Sequence, residues 1–207
     1  MKWAIDSDDV LLELNKHLQE FKVERDRSKG ILETNVLKLE EIYDYNLGRV
    51  WGCSLDEAFE IIEEFFESEY YDRMAPVPGG LRATKRLRER GDDLVVLTSR
   101  VNSLQQRTIE QFDIHYSGIF NDILFSSEWS NNSGGITKGE ICDDIGAERL
   151  VDDRFKYCNG ASGLVEKSYL FDLEGKYGWN KKNGLILPRD VERVLSWETI
   201  MEKEGLS

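Results

Sequence analysis

The sequence is poor in the residues that form disulfide bonds and zinc sites. Its 207 residues include three cysteines and two histidines. The cysteines, Cys53, Cys142 and Cys158, are far apart, odd in number, and lack the paired spacing of metal ligands. Neither a disulfide framework nor a zinc site is therefore expected. Cysteines of this kind are typical of reduced thiols, so we expect a cytoplasmic protein.

The sequence also lacks a long apolar segment and an excess of basic residues. Asp6, Asp8 and Asp9 interrupt the first apolar stretch, so we expect neither a signal peptide nor a membrane span. Asp and Glu outnumber Lys and Arg by 40 to 27, which gives a net charge of −13. Binding to polymeric nucleic acid or an anionic membrane needs a basic surface, so neither partner is expected. A small anionic substrate is compatible, because a bound metal and a few local cations can reverse the charge within a cleft.

Two closely spaced aspartates follow the first apolar stretch. Residues 2–5 are predicted to form a strand, and the carboxylates of Asp6 and Asp8 come where it ends. Residues two apart in extended chain point to the same side, so both acids could face one small volume. Two such acids need a shared proton or a cation between them, and either outcome suits phosphoryl transfer. Asp-rich turns also follow strands for purely structural reasons, so this stretch alone leaves both interpretations open.

Apolar segments that end in polar residues alternate with helical patterns along the rest of the chain. This alternation predicts an α/β fold with a doubly wound, mainly parallel sheet. Residues 10–21 are expected to be helical, residues 24–30 to form a turn, and residues 126–135 to form a polar loop. The predicted strands are 2–5, 94–97, 122–125, 149–151 and 168–171, and later helices are expected at 81–90, 103–112, from 138 and from 196.

The segment between the first two predicted strands has helical patterns and no convincing strand. Ser54 and Glu57 form a capping box ahead of an apolar helical face. A helical block in this position is most simply a small cap inserted after the first strand. We therefore expect a catalytic core formed by residues 1–12 and 76–207, and a helical cap formed by residues 13–75.

Polar residues from four separate segments are expected at one edge of the sheet. Asp6 and Asp8 follow one strand, Thr98 follows another, and Asp152 ends a third. Thr137 and Glu140 form a second capping box, which places Lys138 in the first turn of a helix. The carboxyl ends of parallel strands share one edge, so these residues can converge. Together they suit phosphomonoester hydrolysis, in which a carboxylate attacks and Mg²⁺ is held by oxygen ligands. A lysine at a helix start is more often a solvated surface residue, and that alternative stays open.

These segments resemble the four ordered motifs of the haloacid dehalogenase-like hydrolases. The motifs are met by Asp6-Ser-Asp8-Asp-Val10, Leu94-Val-Val-Leu-Thr98, Lys138 and Leu150-Val-Asp152-Asp153. The resemblance implies a phosphatase in which Asp6 becomes an aspartyl-phosphate, while Asp8 protonates the leaving alcohol and then activates water. It also implies that Mg²⁺ is held by the carboxylates of Asp6 and Asp152 and the backbone carbonyl of Asp8, with Asp153 in support. Asp8 distinguishes the phosphatases of this superfamily from its dehalogenases, so dehalogenation is not expected.

Within that superfamily the chain is most similar to the 5′(3′)-deoxyribonucleotidase-like group. The matching segments are Pro76-Val-Pro-Gly-Gly, Leu97-Thr-Ser-Arg100, Lys138-Gly-Glu-Ile-Cys142, Val151-Asp-Asp-Arg154, Leu170-Phe171 with Trp179-Asn180, and Ser196-Trp197-Glu198. This resemblance implies a 5′-nucleotidase that acts on (deoxy)nucleoside monophosphates. The chain departs from the group at Asp9, where Gly or Glu is common. It also departs at Leu14, where an aromatic residue commonly stacks on the base.

Several further residues have two interpretations on sequence grounds. Ser99 and Arg100 either bind the substrate phosphate or cap the following helix. Trp179 and Asn180 are expected in a loop that can reach the site, whereas His17 and His115 have no evident partner. The aromatic residues of the expected cap either line a base pocket or pack in its core: Tyr43, Tyr45, Trp51, Phe59, Phe65, Phe66 and Tyr70.

Two alternatives to a nucleotidase stay open. The first keeps the chemistry but takes a sugar phosphate, another small metabolite or a 3′-phosphate end of nucleic acid, the last being disfavoured by the acidic balance. The second is a catalytically idle relative that binds a ligand or a partner protein, although such a protein has no need for the acid at Asp8. The expected partner is a small phosphorylated metabolite. The sequence does not give the oligomeric state, so a homodimer is left open.

Overall fold

Six parallel strands form one sheet in the part of the chain described by this computed structural model, which covers residues 1–31, 34–126, 135–181 and 185–206. The spatial order is β3-β2-β1-β4-β5-β6, so the first strand lies in the middle and the chain winds outward in both directions. The α/β, doubly wound parallel fold predicted from the sequence is confirmed. The strands are β1 (Lys2–Ile5), β2 (Asp93–Thr98), β3 (Asp122–Phe125), β4 (Arg149–Asp152), β5 (Lys167–Phe171) and β6 (Val191–Val194).

Helices cover both faces of this sheet. The helices are α1 (Leu14–Ser28), α2 (Leu47–Trp51), α3 (Leu55–Glu67), α4 (Glu69–Asp72), α5 (Gly80–Arg90), α6 (Gln105–Tyr116), α7 (Lys138–Asp144), α8 (Phe155–Gly160) and α9 (Trp197–Lys203). Alternate side chains of β1 point to opposite faces. Trp3 and Ile5 belong to the larger apolar cluster, with residues of α5, α6 and α9. Ala4 packs on the other face with Cys142 of α7.

Four 3₁₀ turns complete the regular structure within these ranges: Leu39–Glu41, Asn102–Leu104, Leu173–Gly175 and Gly178–Asn180. The block predicted to be helical between residues 31 and 71 is therefore only partly so, because residues 34–38 have no helix and α2 is short. The turn predicted at residues 24–30 is wrong as well. Helix α1 continues to Ser28 because Val23 and Asp26 are buried and Lys22 pairs with Asp26 one turn on.

The sequence prediction also missed strand β6. This strand is a four-residue Val-Glu-Arg-Val segment at the edge of the sheet, half-buried and paired with β5 alone. So short a segment carries too few apolar positions to stand out from a loop. Most of the polar loop predicted at residues 126–135 lies outside the described residues.

The chain leaves and re-enters the sheet layer along two adjacent paths. The Glu13 backbone amide donates to the Ala75 carbonyl over 2.9 Å, and the Val77 amide donates to the Leu11 carbonyl over 2.8 Å. The intervening segment contributes Leu18, Phe65 and other residues to the same apolar cluster as β1. The division into a core of residues 1–12 and 76–207 and a cap of residues 13–75 stays a prediction. No helix in the described ranges is long and apolar enough to cross a membrane.

Candidate active site

The central strands place three groups of the predicted site at one edge of the sheet. Ile5 of β1 lies beside Val96 of β2 and Val151 of β4, so the residues after these positions reach the same level. Asp6 continues this register by donating its backbone N–H to the Val151 carbonyl over 2.9 Å. The ends of β1, β2 and β4 therefore bring Asp6, Thr98 and Asp152 to the same edge, as the sequence predicted.

Lys138 connects two of these acids. Its Nζ lies 2.5 Å from Oδ1 of Asp6 and 2.7 Å from Oδ2 of Asp152. The side chain is 1% exposed, so Lys138 is not a solvated surface lysine. Burial by itself would lower the Lys138 pKa, but the two carboxylates outweigh it and raise that pKa above its ordinary value. The ammonium therefore stays charged inside the site.

A capping box and a close helix contact hold Lys138 in place. The Thr137 hydroxyl accepts from the Glu140 backbone amide over 3.1 Å, and the Glu140 carboxylate accepts from the Thr137 amide over 2.8 Å. This capping box is the one expected from the sequence pattern. Gly139 follows directly, and a Cβ there would lie 2.6 Å from the carbonyl oxygen of Gly160 at the end of α8. Glycine at position 139 therefore lets α7 approach α8 closely enough for Lys138 to reach both acids.

Asp6, Asp152 and Asp153 form a buried acidic trio. One carboxylate oxygen of each lies within 4.8 Å of the others. Burial raises the pKa of Asp6 even though Lys138 opposes the shift, and burial together with Asp152 and Asp6 raises the pKa of Asp153. Asp152 also accepts from the Arg154 backbone amide over 2.9 Å. Three carboxylates against one ammonium leave excess negative charge, and such oxygen donors suit a hard divalent cation.

Thr98 ends strand β2 at the same edge of the sheet, and Ser99 follows it. The Thr98 side chain is buried, and its hydroxyl accepts from the Arg100 backbone amide over 3.2 Å. The Ser99 hydroxyl lies 2.9 Å from that of Ser126. Ser99 and Lys138 line the cleft above the acids. Both could therefore meet a phosphoryl group that enters from that side.

Asp8 is paired with Arg100 rather than with the acidic trio. Arg100 Nε lies 3.1 Å from both carboxylate oxygens of Asp8, and Nη2 lies 2.6 Å from Oδ1. The remaining amino nitrogen, Nη1, donates to Tyr71, Thr108 and Gln111. The substrate-binding role expected for Arg100 stays a prediction. In this structure its donors face protein groups, although the residue does line the cleft.

Asp9, at which the sequence departs from the nucleotidase-like pattern, lines the cleft of the site. Its backbone has φ 58°, in the left-handed region that Asp tolerates better than most residues. Its carboxylate accepts from the backbone and side-chain amides of Asn15, and its carbonyl accepts from the Tyr177 hydroxyl. Burial raises the pKa of Asp9 to about 7. No periodic signal in the sequence marks Asn15 or Tyr177, because both act through tertiary contacts.

A cleft of about 880 Å³, part of it open solvent, lies over the acids. The segment 13–75 supplies most of its apolar wall. Among the aromatic residues considered for a base pocket, Tyr45, Phe65 and Phe66 line the cleft. Leu14, one of the two positions at which the sequence departs from the nucleotidase-like pattern, lines it too. Other apolar lining residues are Leu18, Ile42, Leu47 and Ile62.

Arg154 supplies a positive charge at the wall of this cleft. Its guanidinium carbon lies 3.5 Å from the centre of the Tyr45 ring and 5.6 Å from that of Tyr157. Its Nη1 also donates to the Tyr157 hydroxyl over 3.3 Å, and the nearby Asp153 carboxylate helps to raise the pKa of Arg154. Arg154 follows the Asp152-Asp153 pair in the sequence, but no local pattern predicts a role for it. A cation next to two aspartates, on aromatic faces, is a candidate contact for an anionic part of a ligand.

Residues of the loop after β5 bind the backbone of Asp153. Trp179 Nε1 and Asn180 Nδ2 donate to the Asp153 carbonyl over 3.3 Å and 2.7 Å, and Trp179 also lines the cleft. This loop therefore does reach the site, where it fixes the backbone of Asp153. His17 lies elsewhere, and its Nε2 accepts from the Ala75 backbone amide over 3.2 Å. The contact fits a structural role for His17.

Sequence comparison gives little further information. No protein-family model matches the chain. An uncharacterized 32.4 kDa protein of Enterobacteria phage T4, from the Gp30-rIII intergenic region, is 20% identical over 158 residues, which is 75% of this chain and 53% of that protein. The chain thus spans about half the length of the curated protein that it matches.

Comparison with solved structures is more informative. Protein tyrosine kinase A (PtkA) of Mycobacterium tuberculosis superposes with a TM-score of 0.71 at 16% identity, over 99% of this chain and 97% of that one. A predicted phosphatase from Clostridium acetobutylicum gives 0.68 at 16% identity, over 99% and 97%. A candidate phosphoglycolate phosphatase from Lactobacillus delbrueckii subsp. bulgaricus gives 0.61 at 17% identity, over 99% and 97%. Further matches are hydrolases of the haloacid dehalogenase-like superfamily. The chain therefore has the fold of these hydrolases.

Proposed function

We propose that this protein is a haloacid dehalogenase-like phosphatase, which hydrolyses small phosphomonoesters through an aspartyl-phosphate at Asp6. The observation that carries the proposal is the position of Lys138, whose ammonium contacts both Asp6 and Asp152 inside a buried site. An ion cluster of this kind is costly to bury and is weak evidence for stability by itself. Its position at the carboxyl edge of the central strands, under a cleft, favours a catalytic purpose.

The proposed reaction has two steps, each assigned to side chains at the site. In the first step an Asp6 oxygen attacks phosphorus, the phosphorus–ester oxygen bond breaks, and Asp8 gives its proton to the leaving alcohol. In the second step Asp8 removes a proton from water, which attacks the same phosphorus, and the bond to Asp6 breaks. The Thr98 hydroxyl and the Lys138 ammonium bind the phosphoryl oxygens, and Ser99 and Arg100 are further candidates for that contact.

We also propose that Mg²⁺ binds at this site. The carboxylates of Asp6, Asp152 and Asp153 and the backbone carbonyl of Asp8 would hold it. The three acids suit a divalent cation, because they are buried and close together and a single ammonium balances only part of their negative charge. When bound, the ion supplies positive charge that offsets that of the phosphoryl group. Lys138 opposes the rise in the Asp6 pKa and so favours the ionised form that attacks, and Trp179 and Asn180 hold the backbone that carries Asp153.

The segment 13–75 is proposed to act as a cap that excludes water and shapes the leaving-group side of the cleft. Its Leu14, Phe65 and Phe66 line the cleft. The segment leaves the sheet layer near Glu13 and rejoins it near Ala75, where the two paths are hydrogen-bonded to each other. We propose that the cap moves against the core about this point.

For the leaving group, we propose the nucleoside of a 5′-(deoxy)nucleoside monophosphate. The support is an apolar and aromatic wall, with Tyr45 and Trp179 in ring contact at 5.9 Å, which suits a flat base. A second candidate is a small non-nucleotide phosphomonoester whose leaving group carries an anion. Arg154 favours that candidate, as does the likeness to a candidate phosphoglycolate phosphatase. A cytoplasmic location, a homodimer and the lack of nucleic-acid or membrane partners stay predictions from the sequence.

A phosphate-release assay tests the proposal. Purified protein with Mg²⁺ is given a panel of nucleoside monophosphates, sugar phosphates and phosphorylated carboxylic acids. We expect turnover that EDTA abolishes and that Asp6→Asn removes without unfolding the protein. Asp113→Asn, on the exposed face of α6, is the matched control and should keep full activity. If the protein hydrolyses other compounds of the panel but no nucleotide, the second candidate is favoured. A protein inactive on the whole panel would favour a catalytically idle binding protein.

A further inference from the structure

The carboxylate of Asp8 is bound by Arg100, and other side chains of the protein hold Arg100 in place. Arg100 Nε and Nη2 engage both oxygens of Asp8 over 2.6–3.1 Å. The Asp8 side chain is 26% exposed at the cleft, whereas that of Arg100 is 2% exposed. Two donors on two oxygens define the plane of a carboxylate as well as its position. The pair therefore sets how Asp8 is presented to the cleft.

Arg100 cannot turn away easily, because its other end is anchored by three neutral groups. Its Nη1 donates to the Tyr71 hydroxyl and to Oε1 of Gln111 over 2.8 Å each, and to the Thr108 hydroxyl over 3.2 Å. The guanidinium carbon also lies 5.1 Å from the centre of the Tyr71 ring. All three partners are buried. A buried guanidinium satisfied in this way has one orientation available to it.

The anchor is itself tied to the sheet layer. Gln111 on α6 donates to the Tyr71 carbonyl, and Arg107 on the same helix packs its guanidinium carbon 4.8 Å from the Tyr71 ring. Tyr71 lies on α4, near the point where the segment 13–75 rejoins the core. Helix α6 thus fixes Tyr71, Tyr71 helps fix Arg100, and Arg100 fixes Asp8.

From this chain of contacts we propose that Arg100 is a positioning residue for Asp8, which orients the Asp8 carboxyl group, protonated in this step, toward the leaving-group oxygen. The inference rests on the proposed phosphatase function and adds a role to it. Asp8 lies in the turn after a strand. Among the described residues, no other side chain binds both of its carboxylate oxygens. A proton donor must sit within hydrogen-bond distance of the atom that receives the proton. Without the guanidinium, the Asp8 side chain gains rotamers that miss that atom.

This role has a signature that a purely structural arginine would not produce. A leaving group that departs readily as an anion gains little from a proton donor, whereas an alkoxide gains much. A misplaced Asp8 carboxyl group should therefore slow the hydrolysis of benzyl phosphate more than that of phenyl phosphate, and the hydrolysis of phenyl phosphate more than that of p-nitrophenyl phosphate. A general loss of fold or of phosphate binding would slow all three by one common factor.

The experiment compares kcat/KM for these three esters in wild-type protein, Arg100→Lys and Arg82→Lys, with Mg²⁺ present. Lysine keeps the charge but cannot bridge two oxygens as the guanidinium does. Arg82 is an exposed arginine paired with Glu198 on another face and serves as the matched control. For Arg100→Lys we expect benzyl phosphate to lose about 100-fold and p-nitrophenyl phosphate less than about tenfold, in line with the usual size of acid catalysis. Arg82→Lys should change neither value.

If Arg100→Lys does not fold, a second variant tests the same role. Tyr71→Phe removes one acceptor from Nη1 and leaves every charge in place. We expect a benzyl-selective loss of about threefold to tenfold, the scale of one hydrogen bond. Equal losses on all three esters in a folded variant, or no loss in either variant, would overturn the positioning role alone. A wild-type protein that releases no phosphate from these esters or from the substrate panel would overturn the proposed function and this inference together.

Discussion

The Lys138 ammonium lies 2.7 Å from Oδ2 of Asp152, and both groups are fully shielded from solvent. Lys138 begins helix α7, Asp152 ends strand β4, and the same ammonium reaches Asp6 at the end of β1. This contact joins the proposed nucleophile, a proposed metal ligand and the cation proposed to bind phosphate.

Removal of the Lys138 charge should destabilise the protein as well as inactivate it. In Lys138→Met, three buried carboxylates are left without their cation, and breaking a buried ion cluster in this way costs about 3–5 kcal/mol. Urea unfolding in EDTA should show that loss in the free energy of unfolding. Lys85→Met, at an exposed lysine of α5, should stay close to wild type. Equal stability of the two variants would mean that the acids are already neutral in the metal-free protein.

A divalent cation should stabilise the folded protein through the acidic trio. A ligand that binds only the folded state adds about 2.7 kcal/mol at a concentration of 100 times its Kd. We therefore expect Mg²⁺ to raise the Tm of the wild type in a concentration-dependent way, and Asp152→Asn to lose most of that rise. Differential scanning calorimetry with MgCl₂ and with NaCl of matched ionic strength measures it. An equal rise in wild type and variant would place the metal elsewhere.

A single methyl group at residue 139 should disturb the site from outside it. A Cβ on Gly139 would lie 2.6 Å from the Gly160 carbonyl oxygen, so α7 must move away from α8 and carry Lys138 with it. Gly139→Ala should cost about 1–3 kcal/mol of stability, as overpacking does, and should lower kcat. Gly160→Ala is the matched control, because a Cβ there meets nothing within 4 Å. Unfolding curves and phosphate release on both variants decide whether the close approach matters.

Arg154 should separate the two candidate substrate classes. If its guanidinium binds an anion on the leaving group, Arg154→Gln should raise KM for a phosphorylated carboxylic acid by about tenfold, the equivalent of one charge-assisted hydrogen bond. A nucleoside monophosphate, whose leaving group is neutral, should keep its KM within about twofold. Steady-state kinetics on both substrate types gives the ratio. The reverse pattern would indicate that Arg154 stacks with the base instead.

The parts of the site that could be predicted from the sequence lie at strand ends and helix starts. Strands β1, β2 and β4 are buried on both faces, so their apolar runs stand out and mark Asp6, Thr98 and Asp152 directly. The capping box at Thr137 marked Lys138 for a similar local reason. Asn15, Tyr71 and Tyr177 could not be found this way. They touch the site through folding of distant segments, and local patterns carry no record of such contacts.

The same distinction explains the errors in secondary structure. Helix α1 runs on through a charged stretch because Arg25 pairs with Glu64 of α3. Strand β6 forms because β5 offers it an edge, although its own residues alternate little. In both places tertiary partners outweigh the local pattern.

The measurement that tests the account most directly is a search for phosphate on Asp6. Asp8→Asn protein is mixed with p-nitrophenyl phosphate and Mg²⁺, quenched in acid and digested for mass spectrometry. This leaving group needs little protonation, while the loss of the Asp8 base slows hydrolysis of the intermediate, so the account predicts phosphate on the peptide that contains Asp6. The double variant with Asp6→Asn should carry none. Phosphate on another residue, or none in a protein that still releases nitrophenolate, would contradict it.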